Sequence, residues 1–316
     1  MSTVSCVMYH VVRNPEETKF PHVKALRIDE FRGQVEYLER HYTFITVDHF
    51  LESIRDPGVA KDLPDNPVLL TFDDGYLDHY ENVFPVLHEK KIEGMFFVPA
   101  GPIWHGRMLT PNAIQVVLST CQDHAALVTA IDQVVADNQP MDGVETLAAY
   151  HARWLRADAY NTAQSGYVKR MLQTGLPEDL REPLVARLLR EWVTSDERGL
   201  AEEYYCSAAN LREMIAGGMY IGPHSVHHHW MNLLPRDRME LETRQSLDFM
   251  RELGAPDKDW VACYPYGGIS DELVDVCVEH GAHCGFTVAG GVADVRAHDK
   301  MRLPRVDTDD LPKVCD

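Results

Sequence analysis

The sequence has no CxxC pair, no apolar run near membrane-span length, no low-complexity linker and no internal repeat. It is also short of positive charge: Lys plus Arg number 30 against 49 Asp plus Glu, for a formal net charge of −19. A broad electrostatic footprint for nucleic acid or an anionic membrane is therefore not expected. The cysteines, at 6, 121, 206, 263, 277, 284 and 315, are odd in number and not spaced as metal or disulfide pairs. That excludes a disulfide framework or a zinc ribbon and leaves free, mostly buried thiols. No stretch reaches the roughly 18 apolar residues of a transmembrane helix. The start, Met1 to Val12, lacks the basic residues that precede the apolar region of a signal peptide. With Met1 as the native start, a soluble, cytoplasmic protein without stable membrane insertion is the expectation.

What is present is ordinary globular material, 45% apolar and 25% charged, in 316 residues, about twice a usual domain of roughly 150. Short apolar runs at Val4 to Tyr9, Phe44 to Val47, Val68 to Phe72 and Met95 to Val98 read as strands, separated by helical patterns. One helix begins behind Asp29 as N-cap, with Phe31, Val35 and Leu38 on one face, and another runs from about Leu77 to Lys91. From 105 to 204 the strand signals stop and helix follows helix, including an apolar stripe of Leu184, Val185, Leu188, Leu189 and Trp192 with Pro183 in its first turn. Strand-like runs return at Met219 to Ile221, Trp260 to Tyr264 and Gly285 to Val288, with helices around Ala208 to Ala216, Arg238 to Leu253 and Asp271 to His280. The pattern predicts an α/β unit formed by residues 1–104 and 205–316, interrupted by a helical insertion over 105–204.

Three segments carry chemistry. Leu69-Leu70-Thr71-Phe72-Asp73-Asp74-Gly75 is a buried-looking strand that ends in two carboxylates and a turn. One carboxylate could hold a metal while the other accepts a proton from water activated by it, although Asp-Asp-Gly is also common turn chemistry. Gly222-Pro223-His224-Ser225-Val226-His227-His228-His229 concentrates four of the 16 histidines. His224 with His228, or His224 with His227, could present two imidazoles to one ion, and an Asp with two His leaves the open position of a catalytic zinc site. Cys263-Tyr264-Pro265-Tyr266-Gly267-Gly268 ends a strand in a sharp bend whose backbone N–H groups, that of Tyr266 among them, could serve an oxyanion. A plain strand-to-helix turn accounts for it equally well.

Taken in order, Thr71-Phe72-Asp73-Asp74-Gly75, His224-Ser225-Val226-His227-His228 and Tyr264-Pro265-Tyr266-Gly267 resemble the successive motifs of the polysaccharide deacetylases, carbohydrate esterase family 4 or the NodB-homology group. The resemblance spans about 1–104 and 205–300. It implies a distorted (β/α)7-type barrel with its site at the strand C-termini. It further implies Asp73 as catalytic base, and Asp74, His224 and His228 as ligands of one divalent ion, with zinc the one expected. Two positions depart from the family pattern. Cys263 stands where many members carry an Arg before Pro-Tyr-Gly, and Leu303-Pro304-Arg305-Val306-Asp307 replaces a Leu-x-His tail. The circularly permuted deacetylases acting on poly-N-acetylglucosamine resemble this chain more closely, through a Tyr-His-x-Val signature matched by Tyr9-His10-Val11-Val12. That resemblance implies His10 as general acid, and Arg305 becomes a candidate partner for Asp73.

The function so implied is metal-dependent removal of an N-acetyl or N-formyl group from an amino sugar, with the Tyr266 N–H holding the oxyanion and His10 protonating the amine. A cytoplasmic enzyme would meet a small-molecule, nucleotide-linked or lipid-linked precursor of a surface polysaccharide. The insertion would then wall the cleft or form a homo-oligomer contact. Three other readings stay open: a catalytically silent glycan-binding protein, an amidohydrolase similar to allantoinases, and a structural metalloprotein whose fourth ligand is His227 or His229.

Overall fold

Two compact units emerge from the computed structural model of the chain, which describes residues 2–158 and 161–313. The first comprises Met1–Asn14, Lys24–His105 and Glu202–Asp316, and the second Pro15–Val23 with Gly106–Ala201. The segment 15–23, read from sequence as part of the α/β unit, groups with the second.

The first unit is built on a sheet of β1 (Thr3–Tyr9), β2 (Thr43–Phe44), β3 (Pro67–Asp73), β4 (Gly94–Val98), β5 (Tyr220–Pro223), β6 (Trp260–Cys263), β7 (Ala282–Gly290), β8 (Ala293–Asp294) and β9 (Leu303–Asp307). The main path runs β5-β4-β3-β1-β9-β7-β6 and every pairing along it is parallel. The parallel sheet is the one that the alternation of strands and helices predicts, and its near-closure into a barrel is what the family resemblance implies. At the seam β5 and β6 meet through side chains: the Val261 N–H donates to Tyr220 Oη at 2.9 Å, and His224 Nδ1 lies 2.8 Å from the Cys263 carbonyl oxygen.

All seven residues of β3 are buried, as a parallel strand covered on both faces requires. Its alternate residues serve two cores. Leu69 packs with Cys6, Met95, Phe97, Val261, Cys263, Phe286 and Leu303. Leu70 and Phe72 pack with Val7, Tyr9, Phe96 and the helical residues Phe31, Leu38, Leu211 and Phe249. Asp73 continues the Leu69–Thr71 parity, so the strand delivers it to the face of Cys263 and Leu303.

Several elements differ from the sequence expectation. Only Thr43–Phe44 pairs as a strand, because Thr46 caps a helix over Val47–Arg55 by accepting from the His49 N–H at 3.1 Å. The helix expected behind Asp29 starts at Ile28 with Arg27 as N-cap. The helix read over 77–91 is a π-turn, His79–Val83, followed by an α-helix, Phe84–Lys90; Pro85 has no N–H to continue a regular ladder back into the turn. In the second unit Pro183 lies inside the helix Glu178–Trp192 rather than in its first turn. The buried Leu184, Val185, Leu188 and Leu189 hold that helix together despite the hydrogen bond that proline forfeits. The other helices of this unit include Thr110–Thr120, His124–Asp137 and Leu147–Trp154. Cys6, Cys121, Cys206, Cys263, Cys277 and Cys284 are free and buried, while Cys315 lies outside the described residues. No helix among the described residues is long and apolar enough to cross a membrane.

Candidate active site

Every residue singled out by the three motifs comes to the C-terminal end of the strands. The backbone there is unusual. Asp74, Ser225, His228 and Tyr266 adopt φ of 77°, 61°, 57° and 58°, a region that non-glycine residues occupy sparingly and mostly where function holds them. Asp74 would point away from Asp73 on a regular strand; the turn at φ 77° brings it round. Gly75 completes that turn at φ 65°, and a Cβ there would come within 2.8 Å of Val98 Cγ1.

Asp73 is held by an arginine from β9, the strand on the other side of β1. Arg305 donates from Nη1 to Asp73 Oδ1 at 2.8 Å and from Nη2 to Oδ2 at 2.6 Å, a bidentate pair. The guanidinium is itself fixed by Nε donating to the Thr287 carbonyl at 3.0 Å and Nη1 to Thr71 Oγ1 at 3.0 Å. Both side chains are buried. Burial alone would raise the Asp73 carboxyl, but the facing guanidinium overrides it and holds the group well below the usual carboxylate range. The thiol of Cys263 donates a further, weak bond to Asp73 Oδ1 at 3.4 Å. His10 follows β1 and stands over this pair, its Nε2 3.9 Å from Asp73 Oδ2 with the side chain 46% exposed. The buried His79 bonds the His10 carbonyl through Nε2 at 2.8 Å.

Asp74, His224 and His228 form the adjoining cluster, with one potential ligand atom of each within 4.8 Å of the others. Asp74 Oδ1 lies 3.1 Å from His228 Nε2 and 3.5 Å from His224 Nε2, while Tyr76 donates to Asp74 Oδ2 at 2.7 Å. The three residues fit a divalent cation on their own chemistry. His224 Nδ1 faces the Cys263 carbonyl, so Nδ1 carries the proton and Nε2 turns a lone pair toward the carboxylate. Asp74 Oδ1 is buried without a hydrogen-bond partner, an arrangement costly for a charge unless a cation sits among the acceptors.

His227, the competing ligand in the sequence, is turned elsewhere. Its Nδ1 lies 2.5 Å from Glu242 Oε1, and its ring stacks between those of His105 and His229, at 5.8 and 5.3 Å. Tyr266 reaches the site through its ring, 4.5 Å from that of His228 and stacked on Trp230 at 4.6 Å.

Sequence reasoning missed Glu242, Tyr76, Thr71 and His79. Glu242 had a detectable signal, since it shares the spacing of Met239, Ser246 and Leu253 on the buried side of the helix Arg236–Leu253, where an unpaired acid would be prohibitive. Thr71 stands inside the first motif without a role being read for it, and Tyr76 and His79 carried no signal beyond proximity to that motif.

A sequence model of the polysaccharide deacetylase family matches residues 60–115 and 190–285. No curated protein sequence matches the chain significantly. Among solved structures the chain is similar to the deacetylase PplD of Streptococcus pyogenes, at 16% identity over 96% of this chain and 92% of that one with a TM-score of 0.58. It is likewise similar to IcaB from Ammonifex degensii, at 19% identity over 96% and 91% with a TM-score of 0.54. The deacetylase domain of BpsB from Bordetella bronchiseptica aligns at 17% identity over 96% and 95% with a TM-score of 0.55. At these identities the likeness is one of fold.

Proposed function

We propose, from the match of residues 60–115 and 190–285 to the polysaccharide deacetylase family, that the chain is a metal-dependent hydrolase that removes an N-acyl group, acetyl or formyl, from an amino sugar. The observation that carries the proposal is the juxtaposition of an ionised, buried Asp73 with the Asp74–His224–His228 cluster and an exposed His10.

Asp74, His224 and His228 would hold one divalent ion, for which we propose zinc. Held there, such an ion would supply Lewis-acid chemistry toward the acyl carbonyl and the attacking water. Asp73 accepts the proton of the attacking water. His10 delivers a proton to the departing nitrogen, without which an amide nitrogen is a very poor leaving group. The Tyr266 N–H, in its bend after β6, is proposed to steady the oxyanion. Arg305 touches no reacting atom and acts through Asp73.

The proposed substrate is an N-acylated amino sugar of a surface polysaccharide or of its nucleotide- or lipid-linked precursor, met in the cytoplasm. A silent glycan-binding protein has no use for a buried carboxylate kept ionised beside a cation site. The test is metal content of the purified protein combined with amine release from N-acetyl and N-formyl sugars, free, nucleotide-linked and polymeric. Metal with amine release supports the proposal; metal-free protein that releases no amine after zinc is added overturns it.

A further inference from the structure

The loop from His224 to His229 presents two of the three cluster residues, and its backbone is tied down on both sides. On one side the Ala100 and Gly101 N–H groups donate to the Ser225 and Val226 carbonyls at 3.2 and 2.8 Å. Gly101 allows that approach, since a Cβ there would lie 2.5 Å from the Val226 oxygen. On the other side a single carboxylate does the work. Glu242 Oε2 accepts from the Val226 N–H at 2.9 Å and the His227 N–H at 3.1 Å, while Oε1 faces His227 Nδ1. Glu242 is 1% exposed; burial would raise its carboxyl, and the bonds from His227 and the loop amides bring it below its ordinary value instead.

We infer that Glu242 is a positioning residue for the cation site, acting through the loop backbone. The inference rests on the reading of Asp74, His224 and His228 as ligands and deepens it. The loop needs such an anchor because Ser225 and His228 both sit at positive φ, a conformation that the chain leaves unless its neighbours fix it. Within the loop the His228 N–H donates to Ser225 Oγ at 2.9 Å. Without Glu242 the buried Val226 amide would lose the acceptor it has in this structure, at the cost of a desolvated donor, and the His227 amide would lose its bond to the same oxygen. The loop would relax toward ordinary dihedrals and carry His228 Nε2 away from Asp74. The role of His227 is secondary: its imidazole adds one bond to a carboxylate that the backbone already engages twice.

The experiment compares wild type, Glu242→Gln, Glu242→Leu and His227→Ala, all stripped of metal. Zn²⁺ and Co²⁺ affinity are measured by competition with a chromophoric chelator, together with the visible spectrum of the Co²⁺ forms and thermal unfolding of the metal-free proteins. Outer-shell partners of ligands typically contribute 10- to 100-fold in affinity, and Glu242→Leu is expected to lose that much and to shift the Co²⁺ bands. Glu242→Gln keeps a carbonyl for the two amides and is expected to lie between Leu and wild type; His227→Ala is expected within about threefold of wild type. Should Glu242→Leu not fold, the Gln variant decides: unchanged affinity with an unchanged Co²⁺ spectrum overturns the inference. The same result in Glu242→Leu, with only the unfolding temperature lowered, also overturns it. Wild-type protein that binds neither ion would instead overturn the cation reading itself.

Discussion

The guanidinium of Arg305, on β9, grips both carboxylate oxygens of Asp73, on β3, at 2.8 and 2.6 Å. The two residues are 232 positions apart and both buried, so β3 and β9 must both pair with β1 before either is stable where it sits. Removing one partner of a buried pair leaves an uncompensated charge. Arg305→Met is therefore expected to cost about 3–5 kcal/mol of stability. The double variant Arg305→Met/Asp73→Asn should recover most of that loss while remaining inactive. Arg305→Lys keeps the charge but not the fork, and is expected to stay folded with clearly reduced kcat. Chemical denaturation and turnover on an N-acetyl sugar check all three; a fully active Arg305→Lys enzyme would show that the bidentate geometry is dispensable.

In the proposed mechanism His10 serves the leaving group rather than the cation; its Nε2 lies 3.9 Å from Asp73 Oδ2 and it is outside the Asp74–His224–His228 group. His10→Ala is expected to retain wild-type metal content and lose about 10²–10⁴-fold in kcat on an amide. An activated ester such as p-nitrophenyl acetate expels a leaving group that needs no proton, so the same variant should hydrolyse it within about tenfold of wild type. Equal losses on amide and ester would remove His10 from the role of acid.

The strands that bear the motifs were legible because β1, β3, β4, β5 and β6 are short apolar runs ending in polar chemistry. β9 was not, since Pro304 argues against a strand in mid-sheet; the ladder to β1 pairs Val306 and Asp307, beyond the proline. The burial of Arg305 was hidden for the same reason. The choice of His228 over His227 came from family resemblance. What distinguishes them physically is Glu242, from a helix that the local sequence of the loop does not reveal. The positive φ values at Asp74, Ser225, His228 and Tyr266 were illegible too, because tertiary contacts impose them against local preference.

Metal removal separates the cluster from its surroundings. Prolonged chelation is expected to abolish amide hydrolysis, and stoichiometric Zn²⁺ to restore it. A cation that binds only the folded state at 100-fold its Kd adds about 2.7 kcal/mol of stability. Wild type should therefore unfold at a higher temperature with Zn²⁺ than without, and His228→Ala and Asp74→Ala should lose that increment. His227→Ala should keep it, its Nδ1 being directed to Glu242. Retention of the increment in Asp74→Ala would place the cation elsewhere.

His79 gives the fold a pH dependence of its own. Its ring lies beneath the site, with Nε2 on the His10 carbonyl and Nδ1 buried without a partner. Burial lowers its pKa from 6.5 to about 4. Above pH 6.5 it is neutral in both the folded and unfolded chain and contributes nothing. Below that, the unfolded chain takes up a proton that the folded one refuses, so stability falls as pH drops from 6.5 toward 4. The full interval is worth about 3 kcal/mol. His79→Gln keeps a donor for the His10 carbonyl and does not titrate. Urea denaturation at pH 7.5, 6 and 5 should show wild type losing stability faster than the variant, with the gap widening at each step. Parallel curves for the two proteins would mean that the folded protein protonates His79 as readily as the unfolded chain does.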